Sequence, residues 1–316
     1  MRVKNLILSY FISLVITIAM FLSRKKNILP VFVNSSSYST YVICSTDTKD
    51  RSLSFLNRWR RESPIDKEPV FLPNDVEDID HLPNASFVIQ SSHIYDEFRT
   101  YPELNFLKFN IVLIIKFLSA LEHFLYKTDN KYMIRMTDDV YINFPVLLEF
   151  FEEVDMLRNK NDRGILIIGN CLKNFEIIQG GSGFLLSREA AFVVYKTYTD
   201  LIRTVNYYED WIETYQFMKI IPEIKNLDSP RFMGHGFLHH QLLLVLRGSN
   251  YFVECPVIPN YTNCGESFFP VKKTVYFHQI AKYMTHEYWD NFIINVPDNL
   301  LWYQYQGFSL ICTKIN

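Results

Sequence analysis

Tyr132-Met133-Ile134-Arg135-Met136-Thr137-Asp138-Asp139-Val140-Tyr141-Ile142-Asn143 is the stretch that decides the fold. A run of β-compatible residues, Tyr132 to Met136, leads into two adjacent carboxylates, and an apolar pair follows before a helix signal. Asn143 can cap that helix, Pro145 suits its first turn, and Val146, Leu147, Phe150 and Phe151 give it an inward face. A strand that ends in polar residues and hands over to a helix is the repeating unit of an α/β domain.

The flanking sequence has the same alternation. Upstream, Tyr41-Val42-Ile43-Cys44 reads as a buried strand, and Asp50 to Arg61 as a helix with Leu53, Leu56 and Trp59 on one face. Pro69 to Leu72 and Phe87 to Ile89 are short strands separated by an acidic loop (Asp75, Glu77, Asp78, Asp80). The apolar stretch from Phe106 to Leu125 contains Lys108, Asn110, Lys116, Glu122 and His123, each costly in hydrocarbon. It is therefore expected as a long helix against a sheet and not as a membrane span. Ile165 to Ile168 forms a further strand downstream. The pattern predicts an α/β domain with a mostly parallel central sheet flanked by helices, its sites at the carboxyl ends of the strands.

Composition excludes several classes. The 316 residues hold 32 Lys+Arg against 34 Asp+Glu, a net charge of -2 that lacks the basic surplus of a nucleic-acid binder. Hydrophobic residues at 48% and charged residues at 21% suit a packed core and not a disordered chain. Aromatic residues reach 16%, which fits either biased codon usage or stacking on sugars; the accompanying wealth of Ile, Asn and Lys favours the former. No internal repeat is present.

Leu6 to Ser23 is an uncharged run of 18 residues with Arg2 and Lys4 before it and Arg24, Lys25 and Lys26 after it. As a helix it spans about 27 Å, close to the thickness of a secretory-pathway bilayer. The expected layout is a short cytoplasmic tail (1–5), one N-terminal transmembrane helix acting as signal anchor (6–23), a Ser-rich stem (24–39) and a lumenal domain (40–316). A cleaved signal peptide is the competing reading, with Thr17-Ile18-Ala19 as its cleavage site. Both readings deliver the chain to the secretory pathway. Asn34-Ser35-Ser36, Asn84-Ala85-Ser86 and Asn260-Tyr261-Thr262 are glycosylation sequons that agree with that address. Of the five cysteines (Cys44, Cys171, Cys255, Cys264, Cys312), Cys255 and Cys264 bracket a short segment that an oxidising lumen would let them close as a disulfide. At least one cysteine stays unpaired, and the absence of Cys-x-x-Cys spacing argues against a structural zinc site.

Two motifs carry chemistry. Asp138 and Asp139, at the end of a strand, stand where a divalent cation and a diphosphate could be held, and their hard oxygens suit Mg²⁺ or Mn²⁺. An isolated Asp-Asp is more commonly a solvated turn; the strand before it raises the functional reading. The second motif is Ile177-Ile178-Gln179-Gly180-Gly181-Ser182-Gly183-Phe184-Leu185-Leu186-Ser187-Arg188. Its three glycines allow a ligand close to the main chain, or form an ordinary turn, and Ser187 can cap a helix through Ala190, Ala191 and Val194. It is neither a phosphate-binding P-loop nor a dinucleotide fingerprint.

Taken together the motifs resemble those of the fringe-like β1,3-glycosyltransferases (family 31). Thr137-Asp138-Asp139-Val140-Tyr141-Ile142-Asn143 is similar to that family's Asp-Asp-Asp-x-[Tyr/Phe]-[Val/Ile]-Asn, and Gly180 to Arg188 resembles its Gly-Gly-Ala-Gly-Phe-x-x-Ser-Arg, in the same order and at a similar distance. Ser45-Thr46-Asp47-Thr48 and Trp59 resemble its opening strand, threonine and helix tryptophan, and the similarity covers roughly residues 40 to 290. The resemblance implies a GT-A-type fold, a Golgi or endoplasmic reticulum type II membrane protein, a UDP-sugar donor, a glycan or glycoprotein acceptor and Mn²⁺ or another divalent cation. It further implies Asp139 as metal ligand, joined by His278 at the end of Val275-Tyr276-Phe277-His278, although an isolated His is more often structural. Thr46, Asp138, Gly180, Gly181 and Gly183 fall on substrate-binding positions.

The sequence departs from the family twice. Thr137 replaces the first acid, which weakens a contact near the nucleotide. His239 and His240, in Phe237-Leu238-His239-His240-Gln241, replace the acids that supply the family's base. A neutral imidazole can accept a hydroxyl proton near neutral pH, so His240 or His239 is the expected base. Glu209, Asp210 and Glu213 are reserve bases or a solvated helix face, and Trp211 stacks on a sugar or packs in the core. The alternative expectation is a catalytically inactive homologue that binds glycans or acts as a membrane-tethered scaffold.

Overall fold

The computed structural model describes residues 37–74, 80–90, 108–160, 164–172, 177–178, 180–202, 229, 231–234, 241, 244–245, 247, 252, 254–255, 268–280, 284–305 and 308–314. In chain order the elements are β1 (Tyr38–Ile43), α1 (Lys49–Glu62), β2 (Val70–Leu72), β3 (Ser86–Phe87), α2 (Lys108–Lys127), β4 (Tyr132–Thr137), β5 (Tyr141–Ile142), α3 (Leu147–Asn159), β6 (Ile167–Gly169), β7 (Cys171–Leu172), β8 (Ile177–Ile178) and β9 (Phe184–Ser187). They continue with α4 (Arg188–Ile202), β10 (Phe232–Met233), β11 (Phe269–Pro270), β12 (Tyr276–Phe277), α5 (His286–Asn295), β13 (Leu300–Tyr305) and β14 (Phe308–Thr313).

Among the described residues the largest sheet has the order β3-β2-β1-β4-β9-β6. The pairs β1–β2, β1–β4 and β2–β3 are parallel, whereas β9 runs antiparallel to both β4 and β6. One strand thus opposes five: the α/β sheet expected from the alternation is present, but it is mixed, because β9 pairs antiparallel on both of its sides. β1 and β4 are buried nearly throughout, as their continuous apolar runs require for strands covered on both faces.

Helix α2 lies against this sheet, with Ile115, Leu118, Leu121 and Phe124 packed beside Tyr41, Met133, Phe184 and Leu186 in one core, which α4 joins through Ala190, Ala191 and Val194. Each large side chain so buried contributes about 1.5–3 kcal/mol. Lys116 is buried in the same helix and donates to the Cys44 carbonyl at 2.7 Å, so its charge meets a backbone acceptor and not lipid. Among the described residues no helix is long and apolar enough to cross a membrane. The 6–23 segment lies outside them.

Helix α1 buries Ser52, Phe55, Leu56, Arg58 and Trp59, while Leu53 is only half-buried; the inward face is rotated slightly from the expected one. Asn143 does not cap a helix through its side chain. Its amide donates instead to the carbonyls of Lys272 (2.9 Å) and Thr274 (3.1 Å), and Pro145 sits in the 3-10 turn Phe144–Val146 that leads into α3. Ser187 does cap α4, accepting from the Ala190 amide at 3.2 Å. Arg188 donates to the carbonyls of Leu125, Thr128 and Asn130 and so closes the carboxyl end of α2.

A second core gathers Tyr141, Met233, Phe277, Trp289, Ile293, Leu300, Trp302 and Ile311. It joins a small sheet, β10-β12-β5, to α5 and to the β13–β14 hairpin. The expected Cys255–Cys264 disulfide is not the one formed: Cys255 pairs with Cys312. A bridge from Glu254 to Thr313, with the Cys255 amide donating to the Thr313 carbonyl at 3.1 Å, lays 254–255 along β14. That brings the two Cα atoms to 4.8 Å, within disulfide reach, and leaves Cys255 committed to the hairpin. Cys264 lies outside the described residues, and Cys44 is buried directly after β1.

Candidate active site

Three chain segments meet at the carboxyl end of β4. The first is the acid pair itself. The parallel register of β1 and β4 sets Ile43 beside Thr137, and the Asp138 amide donates to the Ile43 carbonyl at 3.2 Å. Asp138 is buried, and its carboxylate accepts from the Ser52 hydroxyl at 2.7 Å and pairs with Arg51 at 3.4 Å. Both partners lie in the first turn of α1, where the helix dipole also favours an anion. Burial raises the Asp138 carboxyl above its ordinary value, against lowering by the hydroxyls of Thr48 and Ser52 and by Arg51; the neighbouring Asp139 adds to the rise. Asp138 therefore ties the sheet to α1.

Asp139 turns the other way. Its side chain is 14% exposed, enough for a ligand to reach it, and its Oδ1 lies 2.5 Å from the Thr137 hydroxyl. The same hydroxyl lies 2.9 Å from the Gly181 carbonyl. With one proton to donate, the Thr137 hydroxyl bonds either the acid or the glycine loop, one at a time.

That loop is the second segment. Because β9 is antiparallel to β4, with Phe184 opposite Arg135, the residues preceding β9 lie beside those following β4. Arg135 is fully buried within β4 and donates to the Gly180 carbonyl at 2.6 Å; the Gly183 amide donates to the same carbonyl at 2.9 Å. Gly183 has φ +88, and a Cβ there would fall 2.5 Å from the Arg135 carbonyl, so no other residue fits. Sequence reasoning missed Arg135, Arg51 and Ser52. Arg135 had a signal, since an arginine inside an otherwise apolar strand needs a partner there.

His278 is the third segment, delivered by the small sheet. β5 follows the acid pair and pairs antiparallel with β12, so Phe277 is set against Tyr141 and His278 comes next to the turn holding Asp139. The His278 amide donates to the Met233 carbonyl, and Gln279 at φ 62 bends the chain away behind it. His278 Nδ1 lies 2.6 Å from the Gly234 carbonyl, which can only accept, so Nδ1 carries a proton and Nε2 is the ring nitrogen turned towards Asp139. Nε2 is 3.9 Å from Asp139 Oδ1. This is too long for a hydrogen bond. It is within reach of a cation shared by both, since donors at about 2.0–2.2 Å can stand up to roughly 4.3 Å apart. Gly181 lies directly against the ring: a Cβ there would meet the imidazole at 2.2–2.7 Å.

Among the described residues no three His, Cys, Asp or Glu side chains gather around one point. One carboxylate and one imidazole would give a divalent cation of the Mn²⁺ type two protein ligands, with water and substrate oxygens left to complete its shell.

A clamp behind the site holds β5 in place. Arg58 donates to the Ile142 carbonyl (2.7 Å) and to Asp290 (2.9 Å) and lies 4.3 Å above the Tyr141 ring; the Tyr141 hydroxyl donates to the same Asp290. His286 packs there with its pKa lowered to about 4, by burial first and then by Arg58. The side chain of Thr46, in the 3-10 turn Thr46–Thr48 after β1, lies outside the described residues, as do His239, His240, Glu209, Asp210, Trp211 and Glu213. Gln241 is described: buried, it exchanges two hydrogen bonds with the Ile311 backbone, which anchors the chain just after His240 to β14.

No family model matches the chain, and no curated protein matches it. Among solved structures, the chain is similar to the galactosyltransferase LgtC in complex with donor and acceptor sugar analogues, at 12% identity over 82% of this chain and 96% of that one, with a TM-score of 0.44. It is similar also to apo mouse xyloside xylosyltransferase 1, at 11% identity over 65% of this chain and 89% of that one, TM-score 0.39. A third likeness is to the Streptococcus pneumoniae glycosyltransferase GlyE, at 10% identity over 61% and 45%, TM-score 0.35.

Proposed function

We propose that the chain is a metal-dependent inverting glycosyltransferase of the fringe-like type, with a GT-A fold. It moves a hexose or N-acetylhexosamine from a UDP-sugar to a hydroxyl of a glycan or glycoprotein, in β1,3 linkage. The carrying observation is the meeting of Asp139, Nε2 of His278 and the Gly180–Gly183 loop at the carboxyl end of β4. The order and spacing of the two sequence motifs support the same reading.

In this reading Asp139 and His278 hold Mn²⁺ or a similar ion, whose charge offsets that of the departing diphosphate. Thr137 keeps Asp139 in register with the loop, and the main chain of Gly180 and Gly181, fixed by Arg135, borders the sugar pocket. His240 or His239 takes the acceptor hydroxyl's proton as its oxygen attacks the anomeric carbon. The chain is anchored by residues 6–23 in the Golgi or endoplasmic reticulum membrane as a single-pass type II protein, with residues 40–316 in the lumen.

A second reading has an observation of its own. Asp138 is committed to Arg51 and Ser52, and Thr137 stands where the family has a third acid, so the acidic centre is reduced to Asp139. That favours a catalytically inactive, glycan-binding relative. Calorimetric titration of the chain with UDP, with and without Mn²⁺, separates the two. Mn²⁺-dependent binding, lost in Asp139→Ala, is expected of the transferase and would justify screening UDP-sugars for transfer. No binding in either condition by folded protein rejects it.

A further inference from the structure

We propose that Asn84 carries an N-linked glycan and that this glycan covers β3, the outermost strand of the central sheet among the described residues. The inference rests on the secretory-pathway part of the reading above and is independent of the transferase chemistry. Asn84-Ala85-Ser86 has the hydroxyl residue two positions on and no proline between, as the acceptor triplet requires. Asn84 and Ser86 are both exposed, and Asn84 has φ 57, a left-handed conformation that asparagine adopts more readily than most residues. The turn beneath it is anchored. Leu82 is buried, the Ala85 amide donates to the Leu82 carbonyl at 3.4 Å, and Arg60 donates to the Pro83 carbonyl at 2.9 Å. Asn84 thus sits on the outside of a fixed turn.

The sequence that follows gives the glycan something to cover. β3 is the outer strand of the sheet among the described residues, and both its residues are exposed. Phe87 and Ile89 are each 43% exposed. Edges of this kind are usually protected by a charge or a proline. Ser86-Phe87-Val88-Ile89 has neither. A branched, hydrated oligosaccharide rooted three residues before Phe87 would block pairing with another chain. It would also leave the site free. β3 runs parallel to β2 and β1, so Asn84 is at the amino end of the strands while Asp139 is at the carboxyl end, and β3 lies three strand spacings, about 14 Å, from β4.

The donor belongs to the polyprenyl-diphosphate-linked oligosaccharides. A bond forms between Asn84 Nδ2 and the anomeric carbon, the bond from that carbon to the diphosphate oxygen breaks, and the lipid diphosphate leaves. The proton lost from the carboxamide passes to the host transferase. The test is expression of the full chain in animal cells with the other two sequons removed (Asn34→Gln with Asn260→Gln), followed by enzymatic removal of N-glycans. A mobility shift is expected in that background, and both Asn84→Gln and Ser86→Ala should abolish it. The same two variants should raise the sedimentable fraction in detergent while leaving Mn²⁺-dependent UDP binding unchanged. A background with no shift, or a shift that survives Asn84→Gln, overturns the glycan. Loss of the glycan without added aggregation overturns its covering role. If the wild-type chain also shows no shift, the secretory address falls with the proposal, whereas nucleotide titration still tests the transferase separately.

Discussion

Replacing Gly181 by alanine perturbs the proposed metal pair without deleting either member. The new Cβ would lie 2.2 Å from Cε1, 2.5 Å from Nε2 and 2.7 Å from Nδ1 of His278. Ordinary contact begins at 3.4 Å, so the ring must retreat by about 1.2 Å. Gly181 is not in the left-handed region, so its backbone accepts alanine and the conflict falls on the imidazole. A movement of that size along the 2.6 Å Nδ1–Gly234 bond breaks it and releases the ring from the orientation that aims Nε2 at Asp139. Loss of such an orienting bond typically costs 10–100-fold in metal affinity. UDP binding in the presence of Mn²⁺ should therefore weaken by about 10–100-fold, or about 1.4–2.7 kcal/mol. Overpacking itself costs about 1–3 kcal/mol of stability, so the variant should remain folded. Titration calorimetry on Gly181→Ala, His278→Ala and the double variant forms a cycle. Once the ring is gone the alanine has nothing to strike, and the double variant should bind as His278→Ala alone. Wild-type affinity in Gly181→Ala, or fully additive losses, would refute the argument.

Two further predictions concern stability. His286, with its pKa lowered from 6.5 to about 4, stays neutral in the fold while the unfolded chain takes up a proton. Its contribution is complete above pH 6.5 and is lost as pH falls towards 4, a swing of about 3 kcal/mol. Denaturant midpoints measured from pH 7 to pH 4 should fall steeply in wild type and less so in His286→Gln; equal slopes would contradict the burial argument. The Cys255–Cys312 bridge closes a sequence separation of 57 residues, for which loop entropy gives about 4 kcal/mol. Cys255→Ala should lose stability up to that amount, and non-reducing peptide mapping should recover a 255–312 link that survives Cys264→Ser.

Much of the central sheet was legible because its strands are continuous apolar runs between turn signals, and α2 because its polar residues exclude a membrane. What sequence could not convey depends on long-range pairing. Cys255 has a near partner in sequence at Cys264 and a distant one at Cys312, and strand pairing along β14 selects the distant one. Asn143 has cap-like chemistry, yet carbonyls 129 and 131 residues away take its amide protons, because β5 is stitched to the segment before β12. Arg58 reads as one basic residue among several on α1, and only its burial under Tyr141 and Phe144 makes it a clamp.

The same physics explains why the two adjacent acids of the motif, alike in sequence, are unlike in space. Asp138 faces the first turn of α1, where Ser52, Arg51 and the helix dipole satisfy it and water is excluded. Asp139 faces the loop, where among the described residues a single hydroxyl bonds it and solvent still reaches it. A carboxylate already supplied with two side-chain partners gains little by binding a cation. One with a single described hydroxyl partner, 3.9 Å from an imidazole nitrogen, has more coordination to offer. The division leaves Asp138 holding α1 against the sheet and Asp139 the more accessible of the two. It also gives Thr137 a part: a neutral hydroxyl within reach of both Asp139 and Gly181 can donate to either without adding the repulsion that a third carboxylate would bring.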